Sequence, residues 1–310
     1  MTRFNAHQPE EFRMREDLFK DAHSLLAVNE GGVDRRFALK AALGVGYAAA
    51  AGSVMSQTAI KTSSAGLVSG EVMIDVNGFK MPAYRSMPAG KSNLPVVLVI
   101  SEIFGVHEYI ADVTRRLAQA GYMAIAPELF VRQGDPSEYG ELAKLMSEVI
   151  SKVPDAQVMA DLDATVAWAQ TQGGDVSKLA ITGFCWGGRI TWLYAQHQPK
   201  LKAGVAWYGR LVGKATPETP WHPLDRASEV KAPVLGLYGG ADTGIPLDTV
   251  DKMKEALQKA PSAAARASQW VVYPDVPHAF HADYRPSYRE AAAKDGWERM
   301  LNWLSAHGVK

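Results

Sequence analysis

The stretch Gly183-Phe184-Cys185-Trp186-Gly187-Gly188 decides the fold, because it stands where a short apolar run, residues 178–182, stops and a helical pattern over residues 187–196 begins. A strand that turns abruptly into a helix holds its central residue in a strained conformation. Side chains two positions before or after would collide with the neighbouring strand or helix, which is why glycines flank the turn. Here the central residue is a cysteine. The turn lifts its sulfur off the sheet, and the unpaired amides and dipole of the helix N-terminus favour a thiolate there. The Trp186 amide would face a developing oxyanion. A second donor is expected from the loop after the preceding central strand, at the Ile103 amide.

Outward from this turn the chain alternates strand and helix. Residues 95–100 (PVVLVI) are a continuous apolar run, as a central strand buried on both faces requires. Residues 71–76 and 80–85, separated by Asn77-Gly78, predict a hairpin. Further strands are expected at 122–126, 203–207, 233–238 and 269–273. Helices are expected at 109–119, 136–153, 155–171, 248–259 and 286–306, the last presenting Trp297, Leu301 and Leu304 on one face. Residues 211–226, with several prolines, Trp221 and His222, show no period and are expected to form a loop beside the site. The sum is an α/β architecture, a mostly parallel central sheet with helices on both faces.

Two other segments carry chemistry. Gly239-Gly240-Ala241-Asp242 places a carboxylate in the turn after one strand, and Asp275-Val276-Pro277-His278 places an imidazole after the last. Both loops would emerge at the carboxyl edge of the sheet, beside Cys185. Each residue has an ordinary reading: a lone cysteine as a small apolar filler, Asp242 as a turn former, His278 as a loop residue. Strand context and the chain order nucleophile, acid, histidine favour the joint reading of Cys185, His278 and Asp242 as nucleophile, base and orienting acid. A metal site at His278, His281 and Asp283 is the weaker alternative, since His278 is already needed by the base role. The scheme calls for no metal or organic cofactor. A phosphate loop is excluded because no lysine and Ser/Thr follow Gly187-Gly188.

Composition narrows the partners. The 33 basic and 33 acidic residues cancel, so no basic footprint for nucleic acid is present. One cysteine forbids an intrachain disulfide and leaves the thiol as core filler or reactive group. Residues 1–66 differ from the rest. Asp34-Arg35-Arg36-Phe37-Ala38-Leu39-Lys40 precedes a weakly apolar run, 41–55, with small residues at 48–51 and at 63–65. This resembles a twin-arginine signal and implies the twin-arginine export machinery as a targeting partner, with the mature chain in the periplasm or beyond. An amphipathic extension on a cytoplasmic protein is the ordinary alternative. Residues 67–310 would form the folded domain.

Ser101-Glu102-Ile103-Phe104-Gly105-Val106, Gly183-Phe184-Cys185-Trp186-Gly187-Gly188, Gly239-Gly240-Ala241-Asp242 and Pro277-His278-Ala279-Phe280 together resemble the dienelactone hydrolase (carboxymethylenebutenolidase) family of α/β-hydrolases. The resemblance runs from about residue 70 to the C-terminus. It implies hydrolysis of a small-molecule ester or lactone by a Cys-His-Asp triad through a thioester, with Glu102 near the sulfur setting its ionisation. It also implies two arginines that hold a substrate carboxylate. Arg132 matches one, but the second position is Ala282, with Arg285 nearby. Tyr208 resembles a residue lining the pocket. A broad esterase or thioesterase, or a non-catalytic thiol redox sensor on the same scaffold, are the competing readings.

Overall fold

The computed structural model describes residues 60–310, so the paired arginines and the apolar run behind them lie outside the described residues. The first two strands, β1 (Leu67–Val76) and β2 (Phe79–Pro88), form the expected hairpin. Asn77 and Gly78 join them at φ of 52° and 89°, the left-handed geometry that a two-residue turn between twisted strands demands. β3 (Leu94–Ile100) is buried along its whole length. Because strand side chains alternate between faces, full burial means that both faces of the sheet are covered.

The remaining strands are β4 (Met123–Pro127), β5 (Gly174–Phe184), β6 (Leu201–Trp207), β7 (Val234–Gly239) and β8 (Gln269–Tyr273). They complete an eight-stranded sheet in the order β1-β2-β4-β3-β5-β6-β7-β8. Only the β1/β2 and β2/β4 pairs are antiparallel; β4, β3, β5, β6, β7 and β8 run parallel. The loops that leave β3, β5, β6, β7 and β8 therefore converge at one carboxyl edge, where an open α/β sheet places its ligands.

The helices are α1 (Glu108–Gln119), α2 (Leu142–Glu148), α3 (Asp155–Thr171), α4 (Trp186–His197), α5 (Leu247–Lys259), α6 (Ala263–Arg266) and α7 (Glu290–Ala306). Three differ from expectation. The single helix expected over 136–153 is broken into a 3-10 turn at Pro136–Glu138, then α2, then a second 3-10 turn at Ile150–Lys152. Gly140 falls in the first break, and Val149 departs from helical angles at the second while its side chain stays fully buried. α7 starts at Glu290 rather than at 286, and the Arg289 amide donates instead to the Phe280 carbonyl at 3.0 Å. Its buried stripe runs through Ala292, Ala293, Gly296, Met300, Trp303 and Leu304, with Trp297 and Leu301 at the margin. The short α6 has no counterpart in the sequence reading. Residues 211–222 form the expected loop, which closes in a 3-10 turn at Pro223–Glu229.

Residues 60–66 are mostly exposed, but Thr62 and Ser63 hydrogen-bond to the folded domain. The Thr62 amide and hydroxyl donate to the two oxygens of buried Asp112 at 2.5 and 3.0 Å, and Gln119 Nε2 donates to the Ser63 carbonyl at 3.0 Å. Their partners lie on α1.

Close backbone approach fixes α4 to the sheet. A Cβ on Gly187 would lie 2.3 Å from the Ile100 carbonyl oxygen at the end of β3, whereas one on Gly204 would meet only side-chain methyls at 3.1 Å. Thermal or denaturant unfolding is expected to show Gly187→Ala losing about 3 kcal/mol or more and Gly204→Ala clearly less, because backbone cannot yield as side chains do.

Candidate active site

Cys185 occupies φ 56° and ψ −114°, a conformation rare for a residue with a side chain. The surroundings hold it there. Its amide donates to the Trp207 carbonyl at 3.0 Å, and its own carbonyl accepts from the Gly188 and Arg189 amides at 2.9 and 3.2 Å. The glycines are as crowded as the sequence implied. A Cβ on Gly183 would stand 2.1 Å from the Gly187 oxygen, and one on Gly188 would stand 2.5 Å from the Trp207 oxygen. Trp186 is the first residue of α4, where backbone amides have no partner within the helix. Ile103 sits in the loop directly after β3 and is buried.

His278 and Asp242 arrive from the loops after β8 and β7. His278 Nδ1 lies 2.6 Å from Asp242 Oδ2, while Asp242 Oδ1 accepts the Gly244 and Ile245 amides at 2.9 and 3.2 Å. Both side chains are almost completely buried. The acid is thus fixed by its own turn and fixes the imidazole in turn. Burial alone would lower the His278 pKa; Asp242 and the neighbouring Cys185 outweigh it and raise the value well above the ordinary one. His278 Nε2 is buried with no partner other than the neighbouring Cys185, whose interaction with the ring is among the causes of that rise. The three residues picked from the sequence are therefore brought together.

Glu102 is fully buried in the same place. Its Oε2 accepts the Tyr284 hydroxyl at 2.6 Å and lies 3.8 Å from His107 Nε2. Burial would raise its pKa, but Arg285, then His107 and Tyr284, reverse this and hold it at about 2, so the carboxylate is ionised. Arg285 Nε donates to the Tyr284 hydroxyl at 3.0 Å, and its guanidinium lies over the Phe104 ring. Arg285 is thus part of the Glu102 cluster. Tyr208 is wholly buried at φ 39°, with its ring edge-on to His278 at 5.0 Å.

Arg132 is the residue expected to hold a substrate carboxylate. Its Nη1 donates to Asp161 Oδ2 at 2.6 Å and its guanidinium stacks on Phe79 at 4.2 Å, so its charge is already matched within the protein. The residues of the alternative metal site also serve separate partners: His281 Nδ1 meets the Tyr109 hydroxyl at 2.7 Å, and Asp283 pairs with Arg116 at 2.5 Å. Burial, with Arg116 nearby, lowers His281 to about 3 and keeps it neutral. Tyr284, His107 and Tyr109 were not singled out from the sequence. The pairing of Tyr284 with Arg285 beside the His278 loop is the only local hint of them.

The model of the dienelactone hydrolase family matches residues 81–308. The chain belongs to that family. A protein of Methylorubrum extorquens named "Putative carboxymethylenebutenolidase" is 56% identical over 278 residues, covering 89% of this chain and 94% of that one. One of the same name from Salmonella typhimurium is 54% identical over 266 residues, covering 86% and 97%. A crystal structure described as a dienelactone hydrolase of Klebsiella pneumoniae, also under the word "Putative", is 57% identical, with a TM-score of 0.74 over 77% of this chain and 98% of that one. A dienelactone hydrolase-like phosphotriesterase from metagenomic libraries, at 22% identity and a TM-score of 0.63, shares the fold. As a dienelactone hydrolase family member the chain is an α/β-hydrolase and a carboxylic ester hydrolase.

Asp242→Asn keeps the shape but offers His278 the wrong hydrogen-bonding partner. It is expected to lower kcat on an ester substrate by about 10²- to 10⁴-fold with little change in KM, measured by steady-state hydrolysis.

Proposed function

We propose that the chain hydrolyses a small-molecule ester or lactone through Cys185, with His278 as general base and acid and Asp242 orienting it. The observation that carries this is the His278 imidazole, locked by Asp242 through Nδ1 and interacting with the strained cysteine as its other neighbour. In the first half-reaction the Cys185 sulfur adds to the acyl carbon. The Ile103 and Trp186 amides donate to the oxyanion, and the C–O bond then breaks as the leaving oxygen takes a proton from His278. In the second half, His278 takes a proton from water, the hydroxide adds to the thioester, and the C–S bond breaks to return the sulfur and release the acid. His278 thus gives one proton to the leaving oxygen and regains one from water, so the sulfur and the imidazole end the cycle as they began it.

The names of the relatives favour a lactone. Two features favour instead an ester without a carboxylate handle: Arg132 is paired with Asp161, and residue 282 is alanine, so neither position expected to hold a substrate carboxylate offers a ready cation. Intact-mass measurement after brief mixing with a panel of dienelactones and neutral aryl esters tests both readings. The wild type is expected to gain the acyl mass and Cys185→Ala to gain none. A wild type that turns over substrate without any adduct, together with an active Cys185→Ala, would move the chemistry elsewhere.

Residues 1–59 carry the export proposal. We infer twin-arginine export from Arg35-Arg36 and the apolar run after them, with cleavage at 48–51 preserving the Thr62 contacts to Asp112 that cleavage at 63–65 would remove. Residues 1–66 fused to a reporter are expected to export it, and replacement of both arginines by lysine to abolish export; unchanged export would contradict the reading.

A further inference from the structure

Glu128 is a buried acid that the proposed chemistry does not use. It follows β4 directly, its amide donates to the Pro82 carbonyl on β2 at 2.9 Å, and the residue is 5% exposed. Its Oε1 accepts the Val106 amide at 3.0 Å. Its Oε2 lies where a Cβ on Gly105 would come within 3.0 Å, and Gly105 itself adopts φ +72°. The side chain is therefore seated against the backbone of one loop, residues 101–107. That loop carries Glu102, the Ile103 amide and His107.

We propose that Glu128 is a positioning residue: seated on the Val106 amide and against Gly105, it clamps the loop between β3 and α1, and so sets the Ile103 amide and the Glu102 carboxylate against Cys185. The assignment rests on the proposed role of that loop in oxyanion binding. A neutral acid suits the task because its carbonyl oxygen takes the Val106 N–H while no net charge is left in the protein interior. Glu128, Asp135 and His107 all line one small cavity, with Phe104, Gly105, Val106 and Ser137. Burial raises the Glu128 pKa to about 8, and the carboxylates of Asp135 and Glu71 push in the same direction, partly offset by the Val106 bond. Ionisation would put a charge against this wall and draw water toward the loop.

The protonated clamp has a stability signature with a definite sign. The unfolded chain ionises Glu128 from pH 4.5 upward while the folded chain keeps the proton until about pH 8. Wild-type stability therefore falls with rising pH across that window and levels off above it. Glutamine copies the protonated acid in shape and keeps a carbonyl oxygen to accept the Val106 N–H, but cannot ionise.

The test compares wild type, Glu128→Gln and Glu128→Leu in steady-state hydrolysis and thermal unfolding between pH 5 and 9.5. The wild-type to Glu128→Gln ratio of kcat is expected to stay constant below about pH 7 and to fall about tenfold by pH 9, as the protonated fraction falls past a titration at about 8. The Tm advantage of Glu128→Gln over wild type is expected to grow from pH 5 to pH 8. Glu128→Leu, if folded, is expected to lose at least about tenfold in kcat with KM little changed. Superimposable kcat profiles for wild type and Glu128→Gln would overturn the proposal whether or not Glu128→Leu folds, because a purely structural acid would move Tm alone. These readouts do not depend on which residue is acylated, so failure of the Cys185 adduct leaves them separately interpretable.

Discussion

Three backbone segments approach one another so closely at the end of β5 that no side chain fits between them. Gly183 faces the Gly187 carbonyl, Gly187 faces the Ile100 carbonyl, and Gly188 faces the Trp207 carbonyl. This crowding joins β3, β5 and β6 to the first turn of α4, and it leaves Cys185 at a positive φ that a relaxed chain would avoid. The sulfur's position and the direction of the helix follow from that one constraint. The loops after β7 and β8 then have only to bring Asp242 and His278 to a point already defined.

The second organising feature is charge held in a low-dielectric interior. Glu102, His278 and Asp242 are all buried, and each is matched: Glu102 by Arg285, Tyr284 and His107, His278 by Asp242. A separate network of Asp112, Arg115, Arg116 and Asp283 lies nearby and reaches Thr62. Buried charges cost desolvation energy that their attraction only partly offsets. Their concentration at the carboxyl edge is what a site gains by being preorganised for charge developing on a substrate oxygen. The hydrophobic sheet supplies the stability that such a cluster consumes.

What the sequence revealed and what it hid divide along one line. Features encoded by contiguous residues were legible. The glycine pattern around Cys185, the Asn77-Gly78 turn, the apolar run of β3, and the Asp242 and His278 loops each follow from local sterics or periodicity. Features set by meetings between distant segments were not. Nothing near Arg132 announces that Asp161, across the sheet's covering layer, neutralises it, or that Phe79 stacks beneath it. Tyr284 meets Glu102 across 182 positions of chain. The helix expected at 136–153 breaks because packing of Leu145, Val149 and Ile150 into the core outweighs the propensity of the surrounding residues. Glu128 escaped notice for the same reason, since its meaning depends on Val106 from another loop.

The central claim is an electrostatic link between one imidazole, one carboxylate and one sulfur. Nitrogen-15 NMR of the His278 ring across the pH range reads that link directly. In the wild type this ring is expected to stay doubly protonated well past 6.5, the ordinary value for histidine, and both Cys185→Ala and Asp242→Asn are expected to bring its titration down. A wild-type ring that titrates at the ordinary value, and does not respond when the cysteine is removed, would contradict the account.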